Sequence, residues 1–273
     1  MNRRFSLFNA TSLVFGFVFL YVPILSLIIF SFNKSKLVTV WAGFSTKWYG
    51  SLFSNESFLD AALVTVKVGF ISSTIATVLG TMAAFILVKG IRFPGRTLFS
   101  GMVYAPLVMP EVITGLSLLL LFIALGAERG IMTITLAHAT FSMCFVSVVV
   151  SSRLVSLDKS LEEAALDLGC TQLDAFRSVT LPIIAPAVVS GWLLAFTLSL
   201  DDLVIASFVS GPSSTTLPMK IFSQVRLGVS PEINALSSIM IAIVTAGVVI
   251  ASLVSKRSAV KLCRQEQLAT EQV

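Results

Sequence analysis

Three carboxylates and one ammonium stand inside long apolar runs of this chain, and its chemistry must be sought there. Glu111 lies in GMVYAPLVMPEVITGLSLLLLF (101–122), Asp201 and Asp202 lie in SGWLLAFTLSLDDLVIASFVSG (190–211), and Lys67 lies in the run that begins at 61. An ionised side chain deep in a bilayer costs about 3 kcal/mol even on the lenient scale, so such groups face protein or water and mark ion paths, proton relays or internal pairs. Other chemistries lack their residues. No nucleophile–base pair, phosphate-binding loop or metal cluster is present. Cys144, Cys170 and Cys263 are isolated, without metal spacing, and no disulfide is expected. His138, the lone histidine, is expected to pack or hydrogen-bond between helices. Any ATP chemistry must come from a partner.

The elements that hold these residues are apolar helices. The chain is 56% hydrophobic and 12% charged with a mean hydropathy of +0.94, outside the range of soluble domains. Runs of about 20 apolar residues, enough to cross a bilayer, place spans near 12–32, 61–88, 101–125, 131–152, 183–210 and 233–255. The expected fold is an all-α membrane protein of six helices forming one membrane domain over 1–273. The run after Arg3 and Arg4 is too long for a signal peptide and has no cleavage site after it, so it is expected to remain as the first span.

Basic residues orient the spans. With the N-terminus inside, twelve Lys and Arg fall on the cytoplasmic side (Arg3, Arg4, Lys89, Arg92, Arg96, Arg153, Lys159, Arg177, Lys256, Arg257, Lys261, Arg264). Six fall outside (Lys34, Lys36, Lys47, Arg129, Lys220, Arg226). This predicts both termini in the cytoplasm. It also explains the net charge of +5 by topology rather than by nucleic-acid binding. Glu111 then sits roughly 15 Å past the cytoplasmic end of its span, and Asp201 and Asp202 roughly 28 Å past the start of theirs. Pro106, Pro110 and Gly115 interrupt the helix around Glu111, and a broken helix at that depth is tolerated only inside protein or along a wet cavity. Two readings stay open. The carboxylates line a cation path, with the faces of Tyr104, Trp192 or Phe196 assisting; or Glu111 merely fixes the break while Lys67 neutralises one of two aspartates that a helix would point about 100° apart. Trp41, Trp48 and Tyr49 in the first outer loop are expected as interface anchors. Pro218 is expected to open a short helix running to Gly228 in the last outer loop.

One polar stretch, 158–182, reads DKSLEEAALDLGCTQLDAFRSVTLP and falls in the cytoplasm. It predicts two short helices and a corner. Ser160 caps the first with Glu163 as its capping-box partner. Leu161, Ala164, Ala165 and Leu168 make an apolar face. Gly169 turns the corner in the left-handed conformation, Thr171 with Asp174 starts the second helix, and Pro182 closes the segment. The small alanine face suggests docking into a groove of another protein, against the alternative of a hairpin lying on the membrane.

Glu163-Ala164-Ala165, then Gly169, then Val179-x-Leu181-Pro182, resembles the EAA signature of ABC importer permeases. PLVMPEVITGLSLLLLF, SGWLLAFTLSLDDLVIASFVSGP with TTLPM, and LVTVWAGFSTKWYGSLF resemble the permeases of polyamine importers, the putrescine system foremost. The resemblance implies the type I importer permease fold, with Glu163, Ala164, Ala165, Gly169, Leu181 and Pro182 in a coupling segment seated on the ATPase. It implies two copies of an ATP-binding subunit carrying ATP and Mg, a second related permease, a periplasmic polyamine receptor, the inner membrane as location, and no cofactor on this chain. The implied cargo is a polyamine, putrescine ahead of spermidine. Three acidic groups against one basic within the spans agree with a cationic cargo. A type I importer for another small cation remains an alternative, as does a secondary transporter or channel subunit, although no inverted repeat is visible.

Overall fold

The computed structural model describes residues 7–37, 40–90, 93–228, 230–243 and 245–246, all helices and connections. Arg3, Arg4, Arg92, Cys263, the basic tail after Lys256 and the last part of the sixth expected span lie outside the described residues. The chain divides into two compact units, one taking in residues up to Glu56 and from Gln224 on, the other Ser57–Ser223.

In the first unit, α1 (Leu7–Ser31) is apolar on every face and exposed along nearly its whole length, as a helix solvated by lipid or by another subunit must be. The loop after it is built on Asn33, which is fully buried. Its side-chain amide donates to Leu37 and Val40 carbonyls, while its side-chain oxygen accepts from the Ser35 and Ala42 amides. Trp48, on α2 (Lys47–Ser54), is buried and donates its indole N–H to the Asn33 carbonyl at 2.7 Å. Trp48 therefore fastens the loop instead of anchoring at the interface as expected, whereas Trp41 is half exposed.

The second unit contains the core. α3 (Glu56–Lys89) has 34 residues, about 51 Å, so it outruns the hydrocarbon layer. Its buried stripe Ser72, Ala76, Gly80 and Ala84 repeats every four residues and lets α6 (Ile131–Val155) approach closely. A Cβ on Gly80 would sit 2.6 Å from the Met143 carbonyl oxygen. α9 (Leu181–Asp201) packs against both, with Gly191 over Val146 of α6 and Phe196 over Gly69 of α3.

The third expected span is two helices, α4 (Arg96–Val108) and α5 (Glu111–Ala124), bent by 118°. Of the three interrupting residues only Pro110 breaks the chain. Its missing N–H and its ring force Met109 into extended backbone (ψ 135°), while Pro106 sits inside α4 and Gly115 inside α5. Four described helices are long and apolar enough to cross a membrane, or five with this bent pair counted as one.

The polar stretch forms α7 (Lys159–Asp167), α8 (Gln172–Ala175) and a π-helical turn, Phe176–Thr180, that runs without a break into α9. Pro182 does not close the segment. The Leu181 N–H donates five residues back to the Phe176 carbonyl, and this wider register just ahead of Pro182 makes room for a ring that would otherwise meet the preceding turn. The fifth expected span also stops early: α9 ends at Asp201, and α10 (Val204–Val209) and α11 (Leu217–Leu227) follow. A further apolar helix, α12, runs Pro231–Ile243.

Candidate functional site

The corner between α7 and α8 forms as its turn chemistry requires, with a different cap. The helix begins one residue before Ser160, and Asp158 is the cap, its carboxylate accepting the Ser160 amide at 3.0 Å. That backbone bond and the Ser160 hydroxyl hold the Asp158 carboxyl below the usual carboxylate range. Glu163 therefore caps nothing; it is exposed and has no hydrogen-bond or ionic partner among the described residues. Gly169 has φ +90°, its N–H donating to the Leu166 carbonyl and the Cys170 N–H to the Ala165 carbonyl, which closes the α7 end. The Thr171 hydroxyl oxygen accepts the Asp174 amide and caps α8. Ala165 is buried within the hairpin, while Ala164, Leu168, Gly169, Leu181 and Pro182 stay exposed.

Glu162, a residue that sequence reasoning passed over, ties this hairpin to the core. Its Oε2 accepts from Lys89 Nζ at 2.8 Å and its Oε1 accepts the Thr180 hydroxyl. Burial pushes its carboxyl up, but the Lys89 and Thr180 hydrogen bonds and the Lys89 charge outweigh that and leave it below the usual range. The sign follows: the contribution is complete above the ordinary glutamate pKa and is lost only as the pH falls through the lowered one. The bridge is thus ionised at neutral pH.

The carboxylates of the spans divide into two kinds. Glu111 is the first residue of α5, exposed, at a helix N-terminus whose dipole favours a negative charge. Asp201 is the exposed last residue of α9. Asp202 leaves the helix with extended backbone (ψ 123°) and folds back onto α10. Its two oxygens accept the Ile205 amide at 3.2 Å, the Ala206 amide at 2.7 Å and His138 Nε2 at 3.0 Å. The two aspartates therefore do not point apart from one helix; the helix ends between them. His138 Nδ1 lies 2.6 Å from Ser199 Oγ, which lies 3.2 Å from Ser72 Oγ. With neutral histidine the donors run in one direction, Ser72 to Ser199, Ser199 to Nδ1, and Nε2–H to the carboxylate. The network joins α3, α6 and α9 at the break. Thr133 holds the far end of α10, donating to the Val209 carbonyl at 2.8 Å.

The expected Lys67–Asp pair is not formed. Lys67 is exposed and has no ionic partner among the described residues, and His138 occupies the place foreseen for it. The two breaks are brought together by α5 and α10. A Cβ on Gly115, one turn after Glu111, would lie 2.8 Å from the Phe208 ring and 3.3 Å from Ile205 Cα. Trp192 and Phe196 stack with centroids 5.2 Å apart, and the Trp192 N–H donates to Thr74. One face of each ring is thus already covered. Tyr104 lies apart from them, in a cleft with Arg96, Ser100 and Ser151.

Residues 76–260 match the family described as binding-protein-dependent transport system inner membrane component. The chain belongs to this family. Among other members, the putrescine transport system permease protein PotI of Escherichia coli is 59% identical over 235 residues, 84% of each chain. The spermidine/putrescine transport system permease protein PotC of Haemophilus influenzae is 43% identical over 255 residues, 93% of this chain and 98% of the other. A chain from the crystal structure of a bacterial ABC transporter that imports the acidic polysaccharide alginate aligns over 92% of this chain and 95% of its own, with a TM-score of 0.70 at 18% identity. This inner membrane component therefore has the permease fold of an ABC importer.

Proposed function

We propose that this chain is one of two different permease subunits of an ATP-driven importer that brings a polyamine, putrescine first, into the cytoplasm. It works with two copies of an ATP-binding subunit, which carry ATP and Mg, and with a periplasmic receptor. It has six spans with both termini inside. The observation that carries the reading is the pair of exposed carboxylates, Glu111 and Asp201, at two helix breaks that α5 and α10 hold together. Lipid would not accept them, whereas a diamine that must exchange its water for charge would. The relatives named for putrescine and spermidine transport agree in sign. A small monovalent cation would satisfy the same carboxylates, and competition decides between the two. In proteoliposomes containing both permeases, the ATPase and the receptor, labelled putrescine uptake should require ATP and receptor, and excess spermidine but not potassium should suppress it. Uptake by this chain alone, driven by a gradient and indifferent to ATP, would instead make it a channel.

The 158–182 segment is the coupling segment of this reading, its exposed tip seated on the ATPase and its motion opening the cavity outward. Nothing lies within 4 Å of a Cβ placed on Gly169, so a side chain there meets only the backbone cost. Gly169→Val should cost about 1–2 kcal/mol at the corner, insert normally and lose ATPase retention or receptor-stimulated hydrolysis, whereas Gly169→Asn should keep most of both. Equal behaviour of the two variants in a pull-down of the ATPase would remove the corner's role. Glu163→Ala should leave the hairpin intact, so any loss it causes belongs to the partner contact.

A further inference from the structure

The hairpin of α7 and α8 is joined to the membrane helices through two weak joints. On the α6 side the helix stops, and residues 156–158 lead into α7. On the α9 side the connection is the π-helical turn Phe176–Thr180, where the backbone ladder has already slipped by one residue and where helices bend most readily. A hairpin of this size is marginal alone, since α7 has nine residues and α8 four. A push on its tip would rock it about these joints and reach the spans only in part, unless something bridges them.

Glu162 bridges them. It stands in the first turn of α7, and its two oxygens are used on two different elements. Lys89, one partner, is the last residue of α3. Thr180, the other, is the buried last residue of the π turn, where the chain enters α9. One turn away along both neighbours, the Phe85 ring meets the Phe176 ring edge-on at 5.1 Å, so α3 touches the returning leg through an aromatic pair and then through the carboxylate. The Lys89 and Glu162 side chains are only 13% and 25% exposed, and a charge-assisted bond so shielded is less screened than a surface ion pair. The Arg96 guanidinium meanwhile donates to the Leu87 carbonyl and steadies the end of α3.

We propose that Glu162 is a positioning residue for energy coupling: by binding Lys89 and Thr180 at once it locks the hairpin to α3 and α9, so that a displacement of its tip moves both helices together. This rests on the coupling role given above to the segment. Glu162 need not touch the ATPase at all. The exposed residues at the tip make that contact, and Glu162 determines how much of the movement is passed on.

The test uses the assembled importer, with Glu162→Gln, Thr180→Val, Lys89→Met and the exchange Lys89→Glu/Glu162→Lys. Spin labels carried by unnatural amino acids at the exposed Leu168 and Met82 report the distance from hairpin tip to α3, with Cys144 and Cys170 left in place; because Leu168 lies at the tip that meets the ATPase, hydrolysis and uptake are read on the unlabelled variants. Glu162→Gln and Lys89→Met should keep the ATPase bound and basal hydrolysis unchanged, widen the distance distribution, and lower polyamine taken up per ATP by roughly tenfold. Thr180→Val, which removes one arm at nearly constant volume, should fall between them and the wild type. The exchange should narrow the distribution and recover most of the uptake per ATP. An unchanged distribution in Glu162→Gln would overturn the lock itself. A widened one with normal uptake per ATP would overturn its role in coupling. Loss of assembly in the single variants that the exchange does not repair would make Glu162 a plain structural residue and overturn the proposal as well. If the wild-type importer fails to take up polyamine, the functional reading falls, and the distance measurement still decides whether the lock exists.

Discussion

Asp202→Ala should remove most folded transporter from the membrane, whereas Asp201→Asn one residue earlier should leave assembly intact. Asp202 accepts two backbone amides and an imidazole, and its side chain is 8% exposed. Cutting it back strands the Ile205 and Ala206 N–H groups and His138, with no water to replace the lost acceptor. Each buried donor left without its acceptor costs about 1–3 kcal/mol, and three together should lower the thermal midpoint of the purified complex by roughly 10 °C. Asp202→Asn keeps one acceptor oxygen and should fall between. Lys67→Met should be nearly silent alone and should not rescue Asp202→Asn, because the ammonium is not the partner. Rescue by Lys67→Met would overturn the His138 assignment. Asp201 ends the helix with its side chain exposed, so its loss should appear in uptake and not in the thermal midpoint.

Why sequence separates these neighbours so poorly is instructive. The run LSLDDLVIAS contains no glycine or proline, so helical periodicity carries straight through it and predicts two side chains 100° apart. The break is made by Asp202 bonding its own downstream amides and by a histidine 64 residues earlier in the chain. Only the ionisable residues in an apolar run hinted at it. Where the signal is local, sequence and structure agree: Pro110 breaks its helix, Gly169 takes positive φ, and Thr171 caps α8. Local signals also mislead: Asp158 and not Ser160 caps α7, and Pro182 does not stop its helix, because a π turn makes room for the ring. Glu162 could not be told from Glu163 in the sequence, because its partner Lys89 is 73 residues away. Packing over such distances leaves no mark on a short window.

Glu111→Gln should abolish most polyamine uptake, by one to two orders of magnitude, with assembly and basal ATP hydrolysis at wild-type levels. The change keeps volume and hydrogen-bonding reach and deletes only the charge, so it isolates electrostatics from packing. Glu111 is exposed, and Pro110 stands immediately before its helix. The break therefore depends on the proline ring and on Gly115 packing against α10, and none of these is touched. A dication that loses part of its hydration at this depth needs a compensating charge worth about 1.5–3 kcal/mol per ionic hydrogen bond, and an amide offers only a dipole. If Glu111 served merely to hold the break, Gln would hold it nearly as well and uptake would barely change. Adding Asp201→Asn sharpens the distinction. Two carboxylates that receive the cation in turn should give a double variant no worse than the slower single one by much, since the path is already limited at one step. Two independent structural roles would instead multiply their losses and lower assembly with them. Initial uptake rates at saturating receptor and ATP, divided by the amount of assembled complex, distinguish these outcomes.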